Sequence, residues 1–126
     1  MSATPHTTLV LWSRLAAFAG FLGVALGAFG AHGLKPLLNL HGAQGWWETA
    51  TLYLLVHAVA ALAALAWARS VRPAALFLLG CMIFSGSLYV MSVTGLRWLG
   101  AITPIGGVLL LAGWLSLVFV NPEPQA

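Results

Sequence analysis

The sequence predicts an all-α integral membrane protein: an antiparallel four-transmembrane-helix bundle with a short interfacial segment between helices 1 and 2. Three observations predict it. Of the 126 residues 61% are hydrophobic and only 6% are charged, whereas a soluble domain carries about a quarter charged residues to cover its surface. Four stretches approach the roughly 20 apolar residues that cross a bilayer. The links after the second and third stretches, "RSVRP" and "TGLRW", are long enough only for turns, so successive spans run antiparallel.

The spans cover about residues 11–31, 47–68, 74–93 and 100–120, and together they make one domain, 1–126. The first ends in "GAFGAHGLKPLL". Its Arg14 and small-residue "AFGA" resemble a cleavable leader, but the polar lead is long and the apolar run nearly a full span, so it reads as a retained helix. Within it Ala16, Gly20, Gly23, Gly27 and Ala31 fall on one stripe of a helix. In lipid, close packing brings helices together and small residues permit it. Gly20, Gly23, Gly27 and Ala31 are therefore expected to form a packing surface. The first link, "HGLKPLLNLHGAQGWW", is amphipathic. Pro36 suits the first turn of a short interfacial helix and Gly33 the end of the preceding one. Trp46 and Trp47 suit the headgroup level. In the fourth span Pro104 is expected to kink the outer end, and Gly106 and Gly113 repeat the small-residue pattern.

Arg14, Arg69 and Arg72 fall on one side, Lys35 and Arg97 on the other. The majority places both termini in the cytoplasm. The five basic residues are scattered, so the net charge of +3 does not indicate nucleic acid. A single cysteine, Cys81, excludes an intramolecular disulfide.

Polar residues inside a bilayer are expensive and mark sites. In the second span Tyr53 and His57 share a face. In the third, Cys81, Ser85, Tyr89 and Ser92 form a stripe. His57 lies about 13 Å deeper than Glu48, near mid-bilayer. Counting back along the antiparallel third span makes His57–Ser85 and Tyr53–Tyr89 neighbours in a buried seam. The seam serves either as hydrogen-bonded glue between helices or as a proton or cation relay. At the outer surface His32, Lys35, Glu48 and Arg97 form a polar cluster, in which Glu48 is expected to pair with Arg97, Lys35 or His32. His41 and His6 read as ordinary interfacial and tail residues.

No metal or haem set is expected, because the chain has no Cys-x-x-Cys or His-x-x-x-His, and no cofactor is expected. Nor is an enzyme. Glu48 and Glu123 lie on opposite faces of the membrane, no glycine-rich phosphate loop follows a strand, and no acid lies near enough to orient His57 beside Ser85.

Four pieces in order, "GAFGAHGLKPLL", "ETATLYLLVHAVAAL", "GCMIFSGSLYV" and "LGAITPIGGVLLLAGW", resemble the YgdD-like family of small membrane proteins, and a short eukaryotic transmembrane protein is similar. The likeness runs from about Leu15 to Trp114. Its motif positions here are Gly27, Gly30, His32 and Gly33; Glu48, Thr49, Tyr53 and His57; Ser85, Gly86, Ser87 and Tyr89; and Thr103, Pro104, Gly106 and Gly107. The first link departs from the pattern, with "NLHGAQGWW" in place of a polar helix start. The resemblance implies a bacterial inner (plasma) membrane location and this fold, and no activity. The expected partners are the lipid bilayer and either further copies or a larger membrane complex. The sequence favours a non-catalytic accessory component. The rival is a small oligomeric channel or carrier for protons, cations or a small solute.

Overall fold

The computed structural model describes residues 5–122. Four segments are long and apolar enough to cross a membrane: Pro5–Ala31, Gln44–Trp67, Val71–Thr94 and Arg97–Val118. The first is helix α1 (Pro5–Ala31). Helix α2 (Lys35–Leu40) follows as the short interfacial helix, with Pro36 in its first turn. Helices α3 (Gln44–Trp67) and α4 (Val71–Thr94) come next. The last segment is a 3-10 turn, Arg97–Ala101, running into helix α5 (Thr103–Val118).

Three helices begin before the apolar runs that mark their spans: α1 at Pro5, about six residues earlier, and α3 at Gln44 and α4 at Val71, each about three residues earlier. The first N–H groups of a helix have no partner within it, so the first turn tolerates Pro73 and charged Arg72. Similarly, Pro104 sits in the first turn of α5 and does not kink it. Gly33 keeps a negative φ. The left-handed glycines are Gly42 (φ 61°), in the turn between α2 and α3, and Gly95 (φ 73°), which caps α4.

α3 and α4 form the centre. α1 packs chiefly on α3, and α5 chiefly on α4. Burial follows: 44% of the most apolar window of α4 is buried, 39% of that of α3, but only 17% in the last span and 11% in α1. The core gathers Leu54, Ala61, Leu65, Phe77, Cys81 and Leu110, with Ala16 added from α1. Along α1 the buried positions are Ala16, Gly23 and Gly30, seven residues apart. Gly20 and Gly27 flank them toward α3, and Ala31 is exposed. The stripe is thus rotated slightly from the expected one, and Gly30 takes the place of Ala31.

The two outer contacts use glycine differently. On the α1 side, glycines receive side chains of α3. A Cβ on Gly23 would stand 2.6 Å from Leu55 Cδ2, and one on Gly27 would stand 3.1 Å from Thr51 Cγ2. A Cβ on Gly30 would fall inside the Trp47 indole. On the α5 side the backbones themselves meet. A Cβ on Gly106 would stand 2.7 Å from the Gly80 carbonyl oxygen and 2.8 Å from Phe84 Cα. One turn or two inward, Gly80 receives Leu110 and Gly113 receives the Phe77 ring.

Candidate functional site

Most polar side chains of the central turns are used up in ties between neighbouring elements. The Ser85 hydroxyl donates to the Ala50 carbonyl (2.7 Å). The Tyr89 and Thr51 hydroxyls share a bond of 2.7 Å. The Ser87 hydroxyl reaches Thr103 on α5 (2.6 Å) as well as the Phe84 carbonyl (2.9 Å). The Ser92 hydroxyl turns back on the Leu88 carbonyl.

His57 is buried at 5% exposure, and both ring nitrogens are engaged. Nε2 lies 3.0 Å from the indole Nε1 of Trp114 on α5. An indole N–H can only donate, so Nε2 is the acceptor and carries no proton. The proton therefore sits on Nδ1, which donates to the Tyr53 carbonyl at 2.7 Å. The Cys81 thiol points at the same carbonyl from α4, 3.5 Å away. His57 thus stands as a neutral imidazole joining α3 to α5. Its ring lies 5.5 Å from that of Phe77.

The seam between α3 and α4 is present, but its pairing differs from the expected one. His57 bonds Tyr53 and Trp114 instead of Ser85, and Tyr89 bonds Thr51 instead of Tyr53. The cause is the turn between α3 and α4. Expected ends at 68 and 74 set one register; the observed ends, Trp67 and Val71, slide α4 by about one helical turn. Tyr53 therefore stacks on Phe84 (4.4 Å between ring centroids). Its hydroxyl has no hydrogen-bond partner among the described residues.

The outer-surface residues His32, Lys35, Glu48 and Arg97 are all exposed. Among the described residues no ion pair joins Glu48 to the other three. Glu48 instead accepts from the Gln44 side chain one turn earlier (3.0 Å), and Arg97 lies over the Trp46 ring at 5.5 Å, a cation–π contact. The outer end is tied together by other residues. His41 Nδ1 donates to the Ser92 carbonyl (3.0 Å), so this histidine fastens the loop to α4. Trp47 is buried at 4%. Its Nε1–H donates to the Leu26 carbonyl of α1 (2.8 Å), and its ring meets Tyr89 edge-on at 4.5 Å. Leu38 of α2 seals this cluster from above. Glu123 lies outside the described residues.

Trp114, Thr51 and the Trp47 anchor were the contributors not singled out as site residues. A tryptophan within an apolar helix carries an N–H donor that needs a partner where water is scarce. That is the signal the sequence offers for Trp114, the last residue of the stretch that carries the family resemblance.

A cavity of about 630 Å³ opens beside this site, between α3 and α5. Tyr53, His57 and Trp114 line it, and Phe84 forms its floor. A second groove of about 500 Å³ lies between α1 and α4, lined by Trp12, Leu22, Met82 and Tyr89 among others. Among the described residues no group of three His, Cys, Asp or Glu is placed to hold a metal.

The family described as "Protein of unknown function (DUF423)" matches residues 26–107, the region that holds the Trp47 anchor, the seam and the start of α5. The chain is 44% identical over 110 residues to a UPF0382 membrane protein of Haemophilus influenzae, covering 83% of this chain and 88% of the relative. It is 44% identical over 111 residues to the UPF0382 membrane protein YwdK of Bacillus subtilis (82% and 89%). It is also 44% identical over 109 residues to the UPF0382 inner membrane protein YgdD of Escherichia coli (82% of each). No solved structure gives a significant match. With four apolar spans and relatives of matching length named as membrane proteins, this chain belongs to the DUF423 family of membrane proteins.

Proposed function

We propose that the protein is a non-catalytic component of the bacterial inner membrane, with both termini in the cytoplasm, that works by assembling laterally with itself or with a larger membrane complex. The observation that carries this reading is the distribution of polar groups and exposed faces. The polar side chains of the central turns are almost all consumed within the chain, as the ties that hold α3, α4 and α5 together. α1, by contrast, gives α3 one glycine-lined face and leaves Phe18, Phe21, Val24 and Phe29 each at least 57% exposed. A helix held on one face has the rest of its circumference for lipid or for another protein helix. The channel alternative would route protons through His57. Both its nitrogens are bonded, which supports a structural role for this residue.

The test is the mass of the protein released gently from its own membrane, by native mass spectrometry. The reading expects co-migrating subunits, either further copies or other chains, which are lost when Phe21 and Val24 are both changed to bulky tryptophan. A monomer at every detergent condition would overturn it. A proton flux in liposomes that disappears in His57→Ala would favour the channel.

A further inference from the structure

We propose that the crevice between α3 and α5 binds a lipid-soluble quinone, a planar ring bearing carbonyl oxygens on an apolar tail, with the Tyr53 hydroxyl as its hydrogen-bond donor. The crevice exists because α3 and α5 both pack on α4, while the side-chain bridge between them is Trp114 to His57 at one end. Gly106 draws α5 down onto the backbone of α4, and Gly107 keeps the wall above it low. What is left is about 630 Å³, within the roughly 300–1,000 Å³ of small-molecule sites. Its rim carries exposed Val56, Val108 and Leu111, an apolar mouth that suits a ligand arriving through the bilayer.

Chemistry narrows the occupant. Thr51, Ser85, Ser87, Tyr89 and both His57 nitrogens have partners. The Tyr53 hydroxyl, on the crevice wall, has none among the described residues. The Tyr53 backbone lies about 13 Å along α3 from its first residue, within an apolar span, and an unpaired polar group in hydrocarbon costs several kcal/mol. A ligand carrying an acceptor at that depth relieves this. Phospholipid ester groups belong to the interfacial layer outside the hydrocarbon, and an acyl tail offers no acceptor. A ring carbonyl does. The walls suit a flat ring as well: Tyr53 lies stacked on Phe84 with 26° between planes, and Trp114 stands at the inner end, 5.0 Å from Phe77. Planar rings favour such offset and edge contacts. The groove between α1 and α4 makes the contrast. Its hydroxyls, Ser85 and Tyr89, are already bonded, so it offers no free hydroxyl.

Binding does not depend on assembly, so a monomeric mass in the experiment above leaves the following test intact. The protein is placed in phosphatidylcholine nanodiscs and equilibrated with tritiated decylbenzoquinone, and retention is measured above that of empty nanodiscs. We expect saturation near one quinone per chain. Tyr53→Phe should weaken binding about five- to tenfold, the worth of one hydrogen bond. Tritiated decylbenzene, which lacks the carbonyls, should not respond to that change. Gly107→Leu fills the crevice, and its Cβ would meet only the Phe84 ring edge at 3.8 Å; it should abolish saturable binding with an unchanged thermal melt. Should that variant not fold, Val108→Trp, at an exposed position, fills the same space. Retention no greater than in empty nanodiscs overturns the site. Saturable binding that Tyr53→Phe leaves unchanged overturns the assigned donor, and binding that survives a filled crevice overturns the location.

Discussion

The contact of α1 with α3 and the contact of α5 with α4 are both lined with glycine, yet they are different kinds of joint. On the α1 side the missing Cβ atoms make sockets for side chains: Leu55 at Gly23, Thr51 at Gly27 and the Trp47 indole at Gly30. On the α5 side Gly106 lies on the α4 backbone itself, against Phe84 and the Gly80 carbonyl. A side chain can move aside; a hydrogen-bonded helix backbone in lipid cannot, because every group it releases goes unpaired. The spacing of small residues therefore marks where helices touch, but not how much the joint can yield.

The most severe test of this difference is Gly106→Ala. The added methyl has no flexible neighbour to displace, so α5 must lift off α4, straining the Ser87–Thr103 bond with it. We expect a loss of about 3 kcal/mol, the upper part of the overpacking range, read from reversible unfolding in mixed micelles. Gly113→Ala, which meets the Phe77 ring edge at 2.7 Å, should cost less. Equal costs at the two sites would contradict a backbone-against-backbone joint.

Gly30→Ala comes next. Its methyl would occupy the place of the Trp47 indole, which must withdraw and give up its bond to the Leu26 carbonyl. A loss of about 2 kcal/mol is expected, combining overpacking with one lost hydrogen bond. A double-mutant cycle sharpens it. With Trp47→Leu in place, the indole is gone and the penalty of Gly30→Ala should shrink by more than half. Strict additivity would mean that Trp47 does not fill this socket.

Much of this architecture was legible in the sequence. Four apolar runs, short links and the run of small residues in α1 follow from the properties of lipid as a solvent, and the chain obeys them. The register between α3 and α4 was not legible. It hangs on whether Arg72 and Pro73 belong to a loop or to a first helical turn, and first turns accept both. A shift of three residues there was enough to give His57 and Tyr89 other partners. Likewise the charges of the outer surface suggested an ion pair, but exposed pairs are worth little. Arg97 lies on Trp46 and Glu48 takes Gln44 instead. The two ties of that end, His41 to the Ser92 carbonyl and Trp47 to the Leu26 carbonyl, run from side chains to backbone. A carbonyl acceptor leaves no mark in the sequence, so a pattern of residue types cannot reveal such a pair.

The bridge between α3 and α5 is a smaller matter energetically. Trp114→Phe keeps the ring against Phe77 and removes only the bond to His57. Side-chain hydrogen bonds within membranes average about 0.6 kcal/mol, and that is the loss we expect. An unchanged stability in Trp114→Phe, read from the same reversible unfolding in mixed micelles, would show that the bridge does not hold in the bilayer.

The smallest effect is expected at Gly20, and its sign is the informative part. This glycine belongs to the same stripe as Gly23 and Gly27, so the sequence pattern alone predicts a cost for any side chain there. In the structure a Cβ at Gly20 would meet Ala58 Cβ at 3.9 Å, an ordinary van der Waals contact. The methyl therefore adds dispersion contact without displacing anything, and alanine loses less backbone freedom than glycine on entering a helix. Gly20→Ala should stabilise the protein by up to about 0.5 kcal/mol, while Gly23→Ala, one turn away against Leu55, should destabilise it. The pair differs by three positions on one helix and in nothing else chemically. Opposite signs would show that the sockets of α1 are individually shaped by α3; a cost at both would mean that α1 sits closer to Ala58 in the bilayer.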